Sequence, residues 1–433
     1  MAIEDKVELT QGVAAIRTVP RSVVALGFVS FFMDISSEII HSLLPVFLVV
    51  VLGASALSVG FIEGIAEATS QVTKLFAGAI SDWIGKRKPL ILAGYGLAAL
   101  TKPLFPLASS VSVVMAARFF DRIGKGIRGA PRDALIGDVT PVELRGTAFG
   151  LRQAMDTVGA FIGPLLAMLL MAASSDNFRL VFWVAVLPAI IAVLLILYAV
   201  QEPNVVHAAE RRPFPLQRAE LARLDGEYWW LIGIATILTF GRFSEAFLLL
   251  AAKQVGLVIT LIPGVLVVMN VVYAASAYPF GRLADLVSRR MLLTLGAIFL
   301  IAADIVLALA GTVWQVAAGV VLWGLHMGAT QGLLSTLVVD AAPAELRGTA
   351  LGMFNLITGV VLLVASVLAG FLWTTFSPAA TFIASGIFAG IALFGMLCWQ
   401  TDSKYSAAII EQTGDTLYGV MAAGPRVLSD RAL

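Results

Sequence analysis

The sequence predicts an all-α polytopic membrane protein, with twelve transmembrane helices arranged as two pseudo-symmetric six-helix bundles. Three observations predict it. The 433 residues are 59% hydrophobic and only 13% charged, with a mean hydropathy of +0.93, outside the range of water-soluble domains. The apolar runs are each about 20 residues or longer, enough to cross a ~30 Å hydrocarbon core as helices, and they lack the short alternating segments of a membrane barrel. The two halves also repeat one another, as a duplicated bundle would.

The expected spans, in order, are 22–51, 58–81, 89–108, 111–136, 146–173, 178–200, 228–251, 257–280, 291–310, 313–338, 347–372 and 379–399. The loops between them are mostly short, so neighbouring spans run antiparallel. Residues 1–21 mix charges and have no apolar core, so they read as an N-terminal segment and insertion relies on the first span. The first bundle covers 22–200 and the second 228–399. Between them, 201–227 is polar and basic with Pro203, Pro213 and Pro215, a linker, and 400–433 is a polar tail. Lys86, Arg87, Lys88, Arg145, Arg211, Arg212, Arg218, Arg223, Arg289, Arg290 and Arg347 fall on one side, against Arg179 and Lys253 on the other. The positive-inside rule therefore places both termini in the cytoplasm.

Composition excludes several functions. A net charge of +1 leaves no footprint for nucleic acid. A single cysteine, Cys398, supports neither a disulfide framework nor a cysteine metal site. No Ser/His/Asp set, zinc spacing or phosphate-cradling loop is present, so the chain reads as no enzyme and needs no cofactor.

The repeat is read from short motifs. ELRGTA occurs at Glu143–Ala148 and again at Glu345–Ala350, and Asp138 matches Asp340 at the same offset. Ser37-Glu38 recurs as Ser244-Glu245 near the middle of the first and seventh spans. Gly78–Leu90, GAISDWIGKRKPL, has a weaker echo at Gly281–Leu293, GRLADLVSRRMLL. Each carries an acid (Asp82, Asp285) before a basic cluster and reads as a short loop between two helices.

Ionisable residues crowd the first half at membrane depth. A charge near a helix centre costs ~2.5–3.5 kcal/mol, so each must find a partner or line a wet cavity. Asp34 and Glu38 share a helical face, as do Glu63 and Glu67, and Arg152 and Asp156. Arg118, Arg122, Lys125 and Arg132 form a basic stripe along the fourth span. A carboxylate beside an arginine, in a cavity that wets and dries, can take a proton from one side and release it to the other. Asp34, Glu38 and Arg118, with Asp156 next, are the candidate proton-coupling groups. Glu67, Lys102, Asp121 and Arg122 from the first half, and Arg242, Glu245 and His326 from the second, are candidate cavity residues. His41 could join the first-span acids, whereas Lys74, Arg132 and Asp133, nearer the helix ends, read as static ion pairs.

These motifs resemble the major facilitator superfamily of secondary transporters. GAISDWIGKRKPL looks like its loop motif G-x-L-x-D-x-x-G-R-K-x-x-L, with Ile80 for the first leucine and Lys86-Arg87 for Arg-Lys. Gly78, Asp82, Gly85 and Arg87, with Asp285 and Arg289 of the echo, then form the gate motif, and Asp82 is expected to dock near Arg347-Gly348-Thr349. Arg118 sits where the family has a fourth-span arginine associated with proton coupling. Gly159–Pro164, GAFIGP, is similar to the motif of its drug:proton antiporters, although Ala167 replaces the last glycine. DISSEIIHSLLPVFL and RIGKGIRGAPRDALI look like a bacterial branch that includes a magnetosome-membrane protein thought to move iron. The resemblance implies a proton-coupled transporter working by alternating access in a bacterial inner membrane or an intracellular membrane derived from it. Its partners would be a small-molecule or ion substrate, the proton and the lipid bilayer. Iron or another metal is the cargo implied by the branch, a small organic anion or drug the alternative, and a non-transporting sensor or scaffold the third reading.

Overall fold

The computed structural model describes residues 19–84, 86–202, 222–343 and 346–398, with the side chains of residues 79, 82, 285 and 286 outside that description. Most of the expected linker and the terminal segments therefore fall outside it, as do Gly85 and the side chains of Asp82 and Asp285, so the docking expected for Asp82 is not described. Among the described residues, fifteen α-helices build twelve spans in two bundles of six. The first bundle contains α1 (Arg21–His41) and α2 (Leu44–Val50), α3 (Ala56–Ile84), α4 (Lys88–Thr101) and α5 (Leu104–Leu107), α6 (Val111–Val139), α7 (Arg145–Ala173) and α8 (Phe178–Ala199). The second contains α9 (Gly226–Gly241) and α10 (Ala246–Gln254), α11 (Gly264–Leu286), α12 (Arg289–Ala308), α13 (Val313–Asp340), α14 (Arg347–Thr375) and α15 (Pro378–Cys398). Nine spans are long and apolar enough to cross a membrane by length and composition alone. Those built by α3, α6 and α13 are not, because of the polar and charged residues they carry.

Three spans read as continuous are broken. The first breaks at Ser42–Leu43 and the third at Lys102–Pro103, where Pro45 and Pro103 cannot donate to the preceding turn. The seventh unwinds over Arg242–Ser244. There the Ser244 amide donates to Ser366 Oγ of α14 (3.2 Å), replacing an intrahelical bond. The first and seventh spans thus break near the repeated Ser-Glu pairs. The two loop motifs are also more helical than expected: α3 runs through Ile84 and α11 through Leu286, leaving only a few residues to turn the chain.

Within the first bundle α1 packs on α7 and α8, and α6 on α3 and α4; within the second, α13 packs on α11 and α12, and α15 on α9 and α12. Gly159 and Gly163 set the α1–α7 distance. A Cβ at Gly163 would stand 2.6 Å from Glu38 Cβ, and one at Gly159 2.7 Å from Phe31 O.

Across the bundles, α3 lies along α14, while the symmetry-related pair α7 and α11 has much looser contact. On the face opposite the α3–α4 loop, the halves are joined. The Leu57 amide donates to Thr374 Oγ1 (3.1 Å), Thr260 Oγ1 donates to Asp176 Oδ1 (2.6 Å), and α2 packs on α10. On the face bearing the loop motifs, Arg87 meets Asp138 (3.4 Å), and at the repeat position Arg289 meets Asp340. These ties hold each loop to the end of its own bundle's fourth helix.

Gly163→Leu should force α7 away from α1 and lower the melting temperature by several degrees, whereas Gly150→Ala, with open space around the added methyl, should leave it within about 1 °C. Thermal unfolding of both purified variants checks this; equal melting temperatures would refute the close-packing assignment.

Candidate functional site

The charges Arg118, Asp121 and Arg122 of α6 face α3 and α4, and each is met by a side chain from another span. Arg118 Nη2 donates to Glu63 Oε2 of α3 at 2.8 Å, with both residues at most 2% exposed. Arg118 Nη1 lies 4.0 Å from Asp121 Oδ2. Asp121 Oδ1 accepts from Lys102 Nζ (2.9 Å), which also donates to Ser37 Oγ of α1 (3.0 Å). Lys102 can reach both because it sits at the break between α4 and α5. Arg122 Nη1 stands 3.3 Å from Glu67 Oε1. Four spans are thereby tied together at membrane depth.

His41, the last residue of α1, bridges two of these carboxylates. Its Nδ1 is 3.4 Å from Glu38 Oε2 and its Nε2 is 3.6 Å from Glu63 Oε2. Glu38, His41, Glu63 and Arg118 therefore form one chain of ionisable side chains. Glu38 stands at its open end, since it lines a cavity of about 720 Å³.

That cavity extends from mid-depth toward the face bearing the loop motifs, between α7 and α11. Its first-bundle wall is charged: Asp34, Glu38, Glu67, Lys74, Lys125 and Arg128, continuing to Arg132, Asp133, Arg152 and Asp156. Arg132 Nε donates to Asp133 Oδ1 (3.1 Å), Arg132 Nη1 is 3.9 Å from Asp156, and Arg152 bonds Asp156 within α7. The second-bundle wall is neutral, with Asn270, Val271, Tyr273 and Ala274 of α11.

The residues singled out in the sequence are thus separated into groups. Asp34, Glu38, Glu67 and Asp156 line the cavity. Arg118, Lys102, Asp121 and Arg122 stand behind its wall in the buried pairs. Asp156, named with Arg118 as a proton-coupling candidate from the sequence, does not meet it; it meets its own-helix neighbour Arg152 and Arg132, because α7 presents it nearer the loop face. Arg118 touches neither Asp34 nor Glu38 directly; its carboxylate is Glu63, which sequence reasoning named among the charges but did not assign to a site. The signal was available in the spacing of Glu63 from Glu67, though not the partner.

In the second bundle, His326 is fully buried with Nδ1 2.8 Å from Gly296 O and does not line this cavity. Arg242 opens the unwound part of the seventh span, Glu245 follows it, and neither lines this cavity. Ser385 Oγ lies 2.6 Å from both Asp304 Oδ2 and Gly241 O, tying α15, α12 and the end of α9.

Breaking a buried ion pair by removing one partner costs about 3–5 kcal/mol, because the other charge is stranded. Glu63→Gln should therefore strongly lower the melting temperature, and Arg118→Gln added to it should recover part of the loss. Thermal unfolding of the wild type, both single variants and the double variant checks this; additive losses would show that the pair is not coupled.

The fold agrees with comparisons to known proteins. The family model described as Major Facilitator Superfamily matches residues 26–269 and 246–428. An uncharacterised transporter of that type from Methanocaldococcus jannaschii is 31% identical over 384 residues, covering 87% of this chain and 94% of the relative. The multidrug resistance protein MdtH of Photorhabdus laumondii is 32% identical over 160 residues, 37% of each chain. Among solved structures, the nucleoside transporter NupG superposes with a TM-score of 0.74 at 12% identity, over 87% of this chain and 98% of that one. A bacterial homologue of the lysosomal transporter Spinster, in an inward-facing and occupied conformation, superposes with a TM-score of 0.70 at 16% identity, over 87% and 95%. The chain belongs to the major facilitator superfamily of transporters.

Proposed function

We propose that the protein is a proton-coupled secondary transporter that moves a small solute by rocking its two bundles, 22–200 and 228–399, around the charged cavity. The observation that carries this reading is the chain from Glu38 through His41 to Glu63 and Arg118. Glu38 takes a proton from the cavity; His41, with a nitrogen toward each carboxylate, passes one on to Glu63. Protonation of Glu63 removes the charge that holds Arg118, which is then free to turn toward Asp121. The contacts among α1, α3, α4 and α6 change with it, and the bundle is biased toward its other arrangement. Asp34, which lines the cavity without an ion-pair partner among the described residues, is a second acceptor for a proton or for a cationic group of the solute.

With the basic loops in the cytoplasm, the cavity opens inward and the joined face outward, which makes the described arrangement the inward-facing one. Gly78, Arg87 and Arg289 act at that face as described members of the gate motif, which Asp82, Gly85 and Asp285 complete in sequence. The stretch shared with MdtH supports a small organic cargo. An iron cargo rests on resemblance alone; among the described residues no three His, Cys, Asp or Glu side chains stand close enough to hold a metal ion.

The test is solute movement in proteoliposomes. A set of radiolabelled organic acids is offered with and without an imposed pH gradient. Gradient-driven accumulation is expected in the wild type. Glu38→Gln and His41→Gln should lose it at least tenfold while still exchanging labelled for unlabelled solute across the membrane. Accumulation indifferent to the gradient, or intact in both variants, would overturn the coupling assignment.

A further inference from the structure

The charges lining the cavity do not balance once the ion pairs are drawn. Glu67 is taken by Arg122, Glu38 by His41, Asp133 by Arg132, and Asp156 by Arg152. Among the described residues, Lys74, Lys125 and Arg128 line the cavity with no carboxylate within ion-pair distance, against Asp34 as the one acid in the same condition. Three cations and one carboxylate leave an excess of positive charge.

The three cations stand together. Lys125 and Arg128 are one turn apart on α6 and share a face. Lys74, from α3, lays its stem along Gly129, where an added Cβ would be 3.8 Å from Lys74 Cε. Arg128 is the most constrained: it is 5% exposed, its Cζ lies 4.5 Å from the centre of the Tyr95 ring, and its Nη1 is buried without an acceptor. A buried guanidinium nitrogen left unbonded is costly, and an acceptor entering from the cavity would relieve it. The cation–π contact fixes the guanidinium plane without using its hydrogen-bonding edge, which is the edge that receives a carboxylate or phosphate.

We infer that Arg128, Lys125 and Lys74 form the binding site for the anionic group of the transported solute, and that the substrate is a small organic anion. The solute's remainder lies against the neutral wall of Asn270 and Tyr273, where a change of bundle arrangement would release it. The inference rests on the cavity being the transport site and not on proton coupling, so it is tested at equilibrium without a gradient.

Purified full-length protein in detergent is titrated calorimetrically with matched acid and neutral probes: succinate and succinamide, benzoate and benzamide, glycerol 3-phosphate and glycerol. At least one acid is expected to bind, with its neutral counterpart at least tenfold weaker. Lys125→Gln and Arg128→Gln should each weaken that binding at least tenfold, whereas Lys253→Gln, on the opposite face, should leave it unchanged. Lys125 is exposed to the cavity, so its variant keeps the fold, as monodisperse elution and an unchanged melting temperature verify. Failure of every acid to bind, equal binding of the neutral partners, or full binding by Lys125→Gln would overturn the inference. Binding confined to added phosphatidylglycerol would overturn it in favour of a lipid headgroup.

Discussion

A charge at the depth of a lipid bilayer must be neutralised by another side chain or by water, and the first bundle is built around that constraint. Arg118 and Glu63 are its centre. Their contact joins α6 to α3; Asp121 and Lys102 extend it to the break between α4 and α5, and Ser37 and His41 bring in α1. Replacing such a network by apolar side chains would often be no less stable, so its value lies in specifying one arrangement of helices and in being switchable.

The second bundle, related by duplication, is held differently. Its buried polar contacts are hydrogen bonds such as Ser385 to Gly241 and Tyr228 to Ala350, and among its described residues the ion pair is Arg289–Asp340 at the loop face. The asymmetry assigns the parts. The first bundle carries the charged wall of the cavity, and the second lines it with Asn270, Val271, Tyr273 and Ala274. The interface between them is unequal as well. The α3–α14 seam is close along its length, while the related α7–α11 pair is separated by the cavity. A symmetric pair of halves meeting asymmetrically is what two exchangeable arrangements of one interface would give.

Much of this was legible in the sequence because it is local. Hydropathy gave nine of the spans outright, and the repeated ELRGTA and Ser-Glu pairs gave the two halves. The matching offset of Asp138 and Asp340 proved structural, since each meets the arginine of its own loop motif. Pairs four residues apart on a helix, such as Arg152 and Asp156, were readable because helical spacing alone brings them together. The breaks in the first and third spans were signalled by Pro45 and Pro103, but a proline within an apolar run does not say whether a membrane helix bends or stops.

Sequence by itself determined that this chain spans a membrane many times, in two related halves, with an excess of charge in the first. The tertiary structure decided which charges meet. Glu63 rather than Asp34 or Glu38 receives Arg118, across 55 residues of chain, and His41 links Glu38 to that pair. It also decided that Lys102, Asp121 and Arg122 stand behind the cavity wall while Lys125, on the same helical stripe as Arg122, and Arg128 stand in it. The reason is geometric. Composition and spacing fix which face of a helix a residue occupies, but the rotation and tilt of that helix against its neighbours, set by packing at residues such as Gly159 and Gly163, decide what the face looks upon.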